Sequence, residues 1–345
     1  MKILIITQKV NQEDPVLGFF HRWIIEFSKK FEQVTVICLE EGRHNLPSNV
    51  KVLSLGKEVR QSRKQYLARF YSYVWNERHN YDVVLSHMNQ EYVILAGIIW
   101  KLLGKRIFMW RNHHAGDELT DMASVFCSKI FCTSKYSYTI KYKKTKLMPV
   151  GIDTGFFVDE HKVRTARSIL SHGRIAPVKR IDVFVEALGI LRDQGIQFTS
   201  DIFGEPSVQH IAHYDQIKKT AHNIGLDAQV KFRDAIVVEK AKDEYNSHEI
   251  FVNLSSSGMF DKTILEAMAC GCLTLASNDN LKEQIDSRLV LADVKPDAAA
   301  TRLRHLLELP ESEKEKLRKG MREYVEHNHS LSYLSDRLIE EMSRK

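Results

Sequence analysis

Short apolar runs alternate with helix-period stretches in two successive series along this chain, and this alternation limits the fold more than any other feature. In the first series Lys2–Thr7 is an apolar run ending in polar residues, and Leu17–Phe31 follows with Phe20, Trp23, Ile24 and Phe27 at helical spacing. Gln33–Cys38 and Val50–Leu55 are β-branched and read as strands, as do Asp82–Ser86, Lys105–Trp110 and Lys129–Thr133. Pro149-Val150-Gly151-Ile152-Asp153 breaks the pattern, which then restarts. Strands are expected at Ser168–His172, Phe198–Phe203, Gln229–Phe232, Ile250–Leu254 and Leu273–Ser277. Helices are expected at Ile181–Gln194, Val208–Ile224, Ala241–Ser247, Thr263–Ala269, Pro296–Leu309, Ser312–Asn328 and Leu331–Arg344.

Parallel strands need crossover connections, so such alternation predicts an α/β fold with parallel sheets covered on both faces. A chain of 345 residues suits two such domains. The expected boundaries are 1–155 for the first doubly wound domain and 156–325 for the second. Residues 326–345 form a C-terminal helix, with a return to the first domain as one course open to it. Ligands of such sheets bind at the carboxyl ends of the strands, here in a cleft expected between two facing domains.

Charge is uneven. Residues 1–150 carry 23 Lys and Arg against 13 Asp and Glu, whereas the remainder has a net charge of −4. A basic first half points to an anionic partner: an acidic membrane surface, a phosphorylated acceptor or nucleic acid. No nucleic-acid-binding motif accompanies the charge, so nucleic acid is not expected. The longest uncharged apolar stretch, Tyr92–Trp100, falls far short of the ~20 residues of a membrane span. The start of the chain reads as a strand rather than a signal peptide, and a cytoplasmic protein is expected. Five irregularly spaced cysteines suggest neither a disulfide framework nor a zinc site. The dinucleotide and P-loop glycine patterns are absent, as are the zinc-protease and nucleophile-elbow motifs.

Two segments of the second half carry chemistry. Ser171-His172-Gly173-Arg174-Ile175-Ala176-Pro177-Val178-Lys179-Arg180 leaves a strand and opens a helix. Arg174 and Lys179 could converge there on a diphosphate, although by spacing alone the segment also reads as a solvated basic loop. The second segment, Ser255 to Gly271, is a small polar loop running into a helix whose open N–H groups make an anion site. Glu266 lies one turn inside that helix on an apolar face, where a carboxylate needs a partner; ribose hydroxyls would serve, and a capping or surface glutamate is the plainer reading.

Together these segments resemble the retaining GT-B glycosyltransferases of family 4, the glycosyl transferases group 1. The matching pieces are Gly173-Arg174, Pro177 and Lys179; Ile202-Phe203-Gly204; Phe251-Val252-Asn253-Leu254-Ser255; and Leu265-Glu266-Ala267-Met268-Ala269-Cys270-Gly271. Pro149 to Phe157 resembles the family's interdomain signature, and Gly18-Phe19-Phe20-His21 a loop of its first domain. The resemblance implies two facing Rossmann-like domains and transfer of a sugar from a nucleoside-diphosphate sugar to a hydroxyl of a glycan or lipid-linked acceptor. It implies retention of configuration, no metal or other cofactor, and a role in cell-surface glycan or glycolipid synthesis. Arg174 and Lys179 would hold the diphosphate, and Glu266 the ribose. N–H groups near Ile264 and Leu265 would cap the β-phosphate, with Gly173 beside them. Gly18 would let its loop approach the donor, and His113, with His114 beside it, would lie near the transferred sugar; His87 is a further histidine that could line the cleft.

One departure stands out. The first of two family glutamates falls on Gly258 here, and Asp261 or Lys262 is expected to take over part of the sugar contact. Rival readings are a GT-B sugar-nucleotide epimerase and a catalytically degenerate nucleotide-binding subunit. On the acceptor side, Lys57–Asn80 is basic and aromatic and reads either as an interfacial helix on an anionic membrane or as an ordinary helix with its aromatic face in the core.

Overall fold

The computed structural model describes every residue except Ser256 and Lys345. The chain divides into two compact units, the first comprising Met1–Gly151 with Leu331–Lys345 and the second Ile152–Ser330. The divisions thus fall after Gly151 and Ser330 rather than after residues 155 and 325.

Unit 1 is built on a seven-stranded sheet. Its strands are β1 (Lys2–Val10), β2 (Gln33–Glu41), β3 (Val50–Ser54), β4 (Val83–His87), β5 (Arg106–Trp110), β6 (Lys129–Cys132) and β7 (Thr145–Leu147). All neighbours run parallel, in the order β3-β2-β1-β4-β5-β6-β7. The central strands are buried along almost their whole length, which is why they read as continuous apolar runs rather than as alternating ones. The helices are α1 (Phe19–Lys30), α2 (Arg63–Asn76), α3 (Gln90–Leu102) and α4 (Glu118–Phe126). One face of the sheet packs Ile3, Ile5, Val36 and Leu85 against Phe20, Trp23 and Phe27 of α1. The other packs Leu4, Ile6, Val84 and Ile107 against Phe70, Val74, Val93 and Trp100 of α2 and α3.

Unit 2 carries a five-stranded parallel sheet of order β10-β9-β8-β11-β12. The strands are β8 (Thr165–His172), β9 (Thr199–Phe203), β10 (Val230–Arg233), β11 (His248–Asn253) and β12 (Leu273–Ala276). Between and after them run α5 (Ile181–Asp193), α6 (Ile211–Asn223), α7 (Val238–Ser247), α8 (Lys262–Ala269), α9 (Pro296–Glu308) and α10 (Glu311–His329). The last helix, α11 (Leu331–Ser343), packs Leu331, Leu334, Leu338 and Met342 into the α1 side of unit 1.

Two differences from the sequence reading have local causes. β7 was not expected: it is three residues long, lies at the sheet edge in a cationic stretch, and pairs with β6 through its backbone. The helix expected at Val208–Ile224 begins as a 3-10 turn at Val208–His210 before α6. No helix among the described residues is long and apolar enough to cross a membrane.

Candidate functional site

The carboxyl ends of β8, β9 and β11 meet at a small hollow in unit 2, lined among others by His172, Gly173, Arg174, Lys179, Phe203 and Asn253. Backbone conformation shapes it. Gly173 (φ +140°) donates its N–H to Phe203 O at 3.1 Å. Gly204 (φ +151°) comes so close that a Cβ there would lie 2.0 Å from the Gly173 carbonyl oxygen. Only a residue without a side chain fits at that crossing. The chain then passes Arg174, makes a 3-10 turn over Pro177–Lys179 and enters α5 through Arg180 in the left-handed conformation.

This path brings Lys179 to the start of α8. Its ammonium donates to Asp261 Oδ2, and both side chains are largely buried. Asp261 is the N-cap of α8, its Oδ1 accepting from Thr263 N at 3.4 Å. Its Oδ2 also accepts from Asn253 Nδ2 at 2.9 Å and Ser255 Oγ at 3.3 Å. Burial works to raise the Asp261 pKa, but the Lys179 charge and the hydrogen bonds from Lys179, Asn253 and the Thr263 N–H override it and hold the carboxyl below the usual carboxylate range. Arg174 lines the same hollow, is exposed, and makes no hydrogen bond or ion pair with the other described residues. Helix geometry leaves the N–H groups of Lys262, Thr263 and Ile264 outside the intrahelical ladder and takes in that of Leu265, so Ile264 is the better placed of the two to meet an anion.

The loop before α8 is anchored rather than loose. Asn278 donates to Met259 O at 2.7 Å, and Ser257 Oγ accepts from Asp279 N at 2.8 Å. Gly258 is buried in this turn; Ser256, part of the same polar loop, lies outside the described residues. Glu266 is buried one turn into α8. Its Oε2 lies 3.5 Å from the hydroxyl of Tyr245, which is itself 3.0 Å from His172 Nδ1. Burial pushes the Tyr245 phenol far up and pulls His172 down to about 4, so the phenol stays protonated and the imidazole neutral at pH 7. Lys262, half-buried and one turn before Glu266, has its pKa lowered by burial while Glu266 and Asp261 pull it back up. Neither His172 nor Tyr245 stood out as a site residue in the sequence. Tyr245 carries no signal beyond its helical period, and His172 merely precedes the glycine of the loop.

In unit 1, Gly18 precedes α1, and a Cβ there would lie 2.5 Å from Asp14 O and 2.9 Å from Gln12 O. Its own loop therefore already demands glycine, without any ligand. His113 follows β5; its Nδ1 sits 3.0 Å from both the N and the O of Ala115, and its ring stacks on exposed His114. His87 is buried, stacked on Phe20 at 4.0 Å, with Nδ1 3.1 Å from Thr7 Oγ1: an aromatic-core histidine.

Several known proteins are similar to this chain. The D-inositol 3-phosphate glycosyltransferase of Streptomyces scabiei is 31% identical over 110 residues, which make up 31% of this chain and 25% of that protein. Mannosylfructose-phosphate synthase of Agrobacterium fabrum is 26% identical over 153 residues, or 41% of this chain and 34% of that protein. The match thus spans about a quarter to a third of the length of these curated relatives. Among solved structures, Anabaena HepE in complex with UDP and glucose superposes with a TM-score of 0.80 at 16% identity, covering 100% of both chains. Sucrose-phosphate synthase from Thermosynechococcus elongatus gives 0.77 at 16% identity, covering 99% of this chain and 98% of that one. These likenesses bear on the fold, two Rossmann-like units of the GT-B type. The family model "Glycosyl transferases group 1" matches residues 156–327, which run through nearly all of unit 2 and include every feature around the hollow, and through them this chain belongs to that family.

Proposed function

We propose that this protein transfers a sugar from a nucleoside-diphosphate sugar to a hydroxyl of a glycan or lipid-linked acceptor, with retention and without a metal ion. The observation that carries the reading is the convergence of Lys179 and Arg174 on the hollow at the start of α8. Two cations and a helix N-terminus are what a departing diphosphate needs, because they neutralise charge that grows as the sugar–phosphate bond breaks. In this reaction the bond between the anomeric carbon and the β-phosphate oxygen breaks, and a bond from the acceptor oxygen forms on the same face of the sugar. The leaving phosphate takes up the acceptor's proton. Glu266, braced by the Tyr245 hydroxyl, would accept from the ribose hydroxyls. His113 of unit 1 keeps its proposed role toward the transferred sugar, and synthesis of a cell-surface glycan or glycolipid is the proposed setting.

A panel of nucleoside-diphosphate sugars tests the reading, headed by UDP-glucose because the fold-similar HepE was solved with UDP and glucose. A donor that binds the folded state raises the melting temperature. Slow release of nucleoside diphosphate from the stabilising donor, and transfer once an acceptor is supplied, are expected. Isomerisation of the sugar would mark an epimerase, and binding without either reaction a non-catalytic subunit.

A further inference from the structure

Large apolar side chains left exposed are distributed very unequally between the two units. Among the described residues unit 2 exposes Val163, Val208 and Ile211; all the others belong to unit 1, which contains the basic first half of the chain. They concentrate on the outer surfaces of the helices that cover one sheet face. On α2, Arg63, Leu67, Tyr71 and Trp75 recur every fourth residue and so share one stripe. Leu67, Tyr71 and Trp75 are 41%, 37% and 54% exposed, while Phe70 and Val74, on the flank next to the stripe, seat the helix in the core. On α3, half-buried Leu95 is followed by Ile98 (62% exposed) and Leu102 (84%), spaced to share a face. The Tyr71 hydroxyl donates to Leu95 O at 3.1 Å, which sets the two stripes side by side. Exposed Arg60, Arg63 and Lys64 lie at one end of the α2 stripe, and the Arg78 guanidinium lies 4.5 Å over the Trp75 ring at the other. Lys101 stands beside Leu102; the exposed acid on these two helices is Glu91, in the first turn of α3.

We propose that the outer face of α2 and α3 docks on the surface of an anionic lipid bilayer, with Leu67, Tyr71, Trp75, Ile98 and Leu102 entering the headgroup region and the flanking cations meeting lipid phosphates. An apolar stripe with cations at its ends and amphipathic Trp and Tyr between them is the composition of an interfacial helix. Charge separates this occupant from others. A second copy would set Arg63 and Lys64 against cations of the same surface, which disfavours self-association. Nucleic acid would leave Leu67, Ile98 and Leu102 without a partner. Combined with the proposed transfer reaction, on which this consequence alone rests, the acceptor is lipid-linked and is met at the bilayer surface.

The test uses the full chain and vesicles of phosphatidylglycerol with phosphatidylcholine, or of phosphatidylcholine alone, without any nucleotide sugar. It therefore succeeds or fails independently of the transferase reading. Flotation with the anionic vesicles at low salt is expected, with little on the neutral ones. Three of the four tryptophans, Trp23, Trp100 and Trp110, are buried, so Trp75 is the one that brominated lipid should quench. The charge reversal Arg63→Glu with Lys64→Glu, on exposed positions, should cut binding about tenfold or more while melting is unchanged. Trp75→Phe should keep flotation and remove most of the quenching. The proposal is overturned by absence of flotation at low salt, by flotation without quenching, or by undiminished flotation of the charge-reversed variant. A dimer dispersed by Leu67→Glu would also overturn it, by assigning the face to self-association.

Discussion

Replacing Lys179 by Met removes an ammonium and keeps the stem of the side chain, and it separates two duties of one group. In the structure the ammonium donates to Asp261, with the two side chains 16% and 15% exposed. Breaking a buried pair from one side costs about 3–5 kcal/mol when the remaining charge is stranded. Asp261 is not stranded, because the donors from Asn253, Ser255 and the Thr263 N–H remain. The expected loss is therefore that of one charge-assisted hydrogen bond, about 1.5–3 kcal/mol, or a fall in melting temperature of roughly 3–12 °C for a unit of this size.

The pH dependence follows from the depressed Asp261 pKa. A carboxyl whose folded pKa lies below its unfolded value stabilises the fold above the unfolded pKa and loses that contribution as pH falls through the folded one. In Lys179→Met the folded pKa moves back up and the contribution shrinks. The wild-type advantage is thus full above about pH 4 and closes as acid protonates Asp261. Turnover should fall further than stability, by about 100-fold or roughly 3 kcal/mol, because the charge on the leaving diphosphate grows in the transition state. Thermal melts across pH and a transfer assay with the stabilising donor measure both. A variant with wild-type turnover and an unchanged acid limb would refute the placement of Lys179 at a diphosphate.

Three further outcomes are expected. Tyr245→Phe removes the hydroxyl between His172 and Glu266 and should weaken donor stabilisation about tenfold, with a wild-type shift of melting temperature by the donor as the contrary result. Gly204→Ala sets a Cβ 2.0 Å from the Gly173 oxygen at a φ of +151°, so chemical denaturation should show a loss of about 2–4 kcal/mol. His172, neutral in the fold down to about 4 because burial lowers its pKa from 6.5, stabilises above pH 6.5. That contribution is lost between about 6.5 and 4, a window in which His172→Gln should flatten the melting curve against pH.

The central strands, β4 and β11 among them, were legible because they are apolar runs buried on both faces, a pattern that survives without knowledge of neighbours. β7 was not, since its three residues, half-buried Thr145 and exposed Lys146 and Leu147, join the sheet through backbone pairing at an edge. The same division runs through the site. The loop from Gly173 to Lys179 and the segment leading into α8 are continuous in sequence, and their residue types announce an anion. What joins them, the ammonium of Lys179 on the N-cap of α8, spans 82 residues and exists only once β8 and β11 are paired. The His172–Tyr245–Glu266 series draws one residue each from a strand end and two helices, so no local pattern could reveal it.

Gly258 stands where the resembling transferases carry a glutamate, and the geometry discriminates between the two neighbours expected to compensate. Asp261 Oδ2 already takes bonds from Lys179, Asn253 and Ser255, and Oδ1 caps the helix. A carboxylate offers about four acceptor sites, so turning Asp261 toward a sugar hydroxyl would release Lys179 or uncap α8. Its part is then to hold Lys179 in position. Lys262 has no capping duty, and an ammonium donates three hydrogen bonds, enough to reach a sugar oxygen while still facing Glu266. The exchange also alters what can be recognised. A glutamate accepts from hydroxyls, whereas an ammonium only donates and is drawn to oxygens bearing negative charge. On this reasoning Asp261→Asn should act mainly on turnover, through Lys179, and Lys262→Met mainly on the choice among donor sugars. Equal effects of the two variants on both quantities would break the distinction.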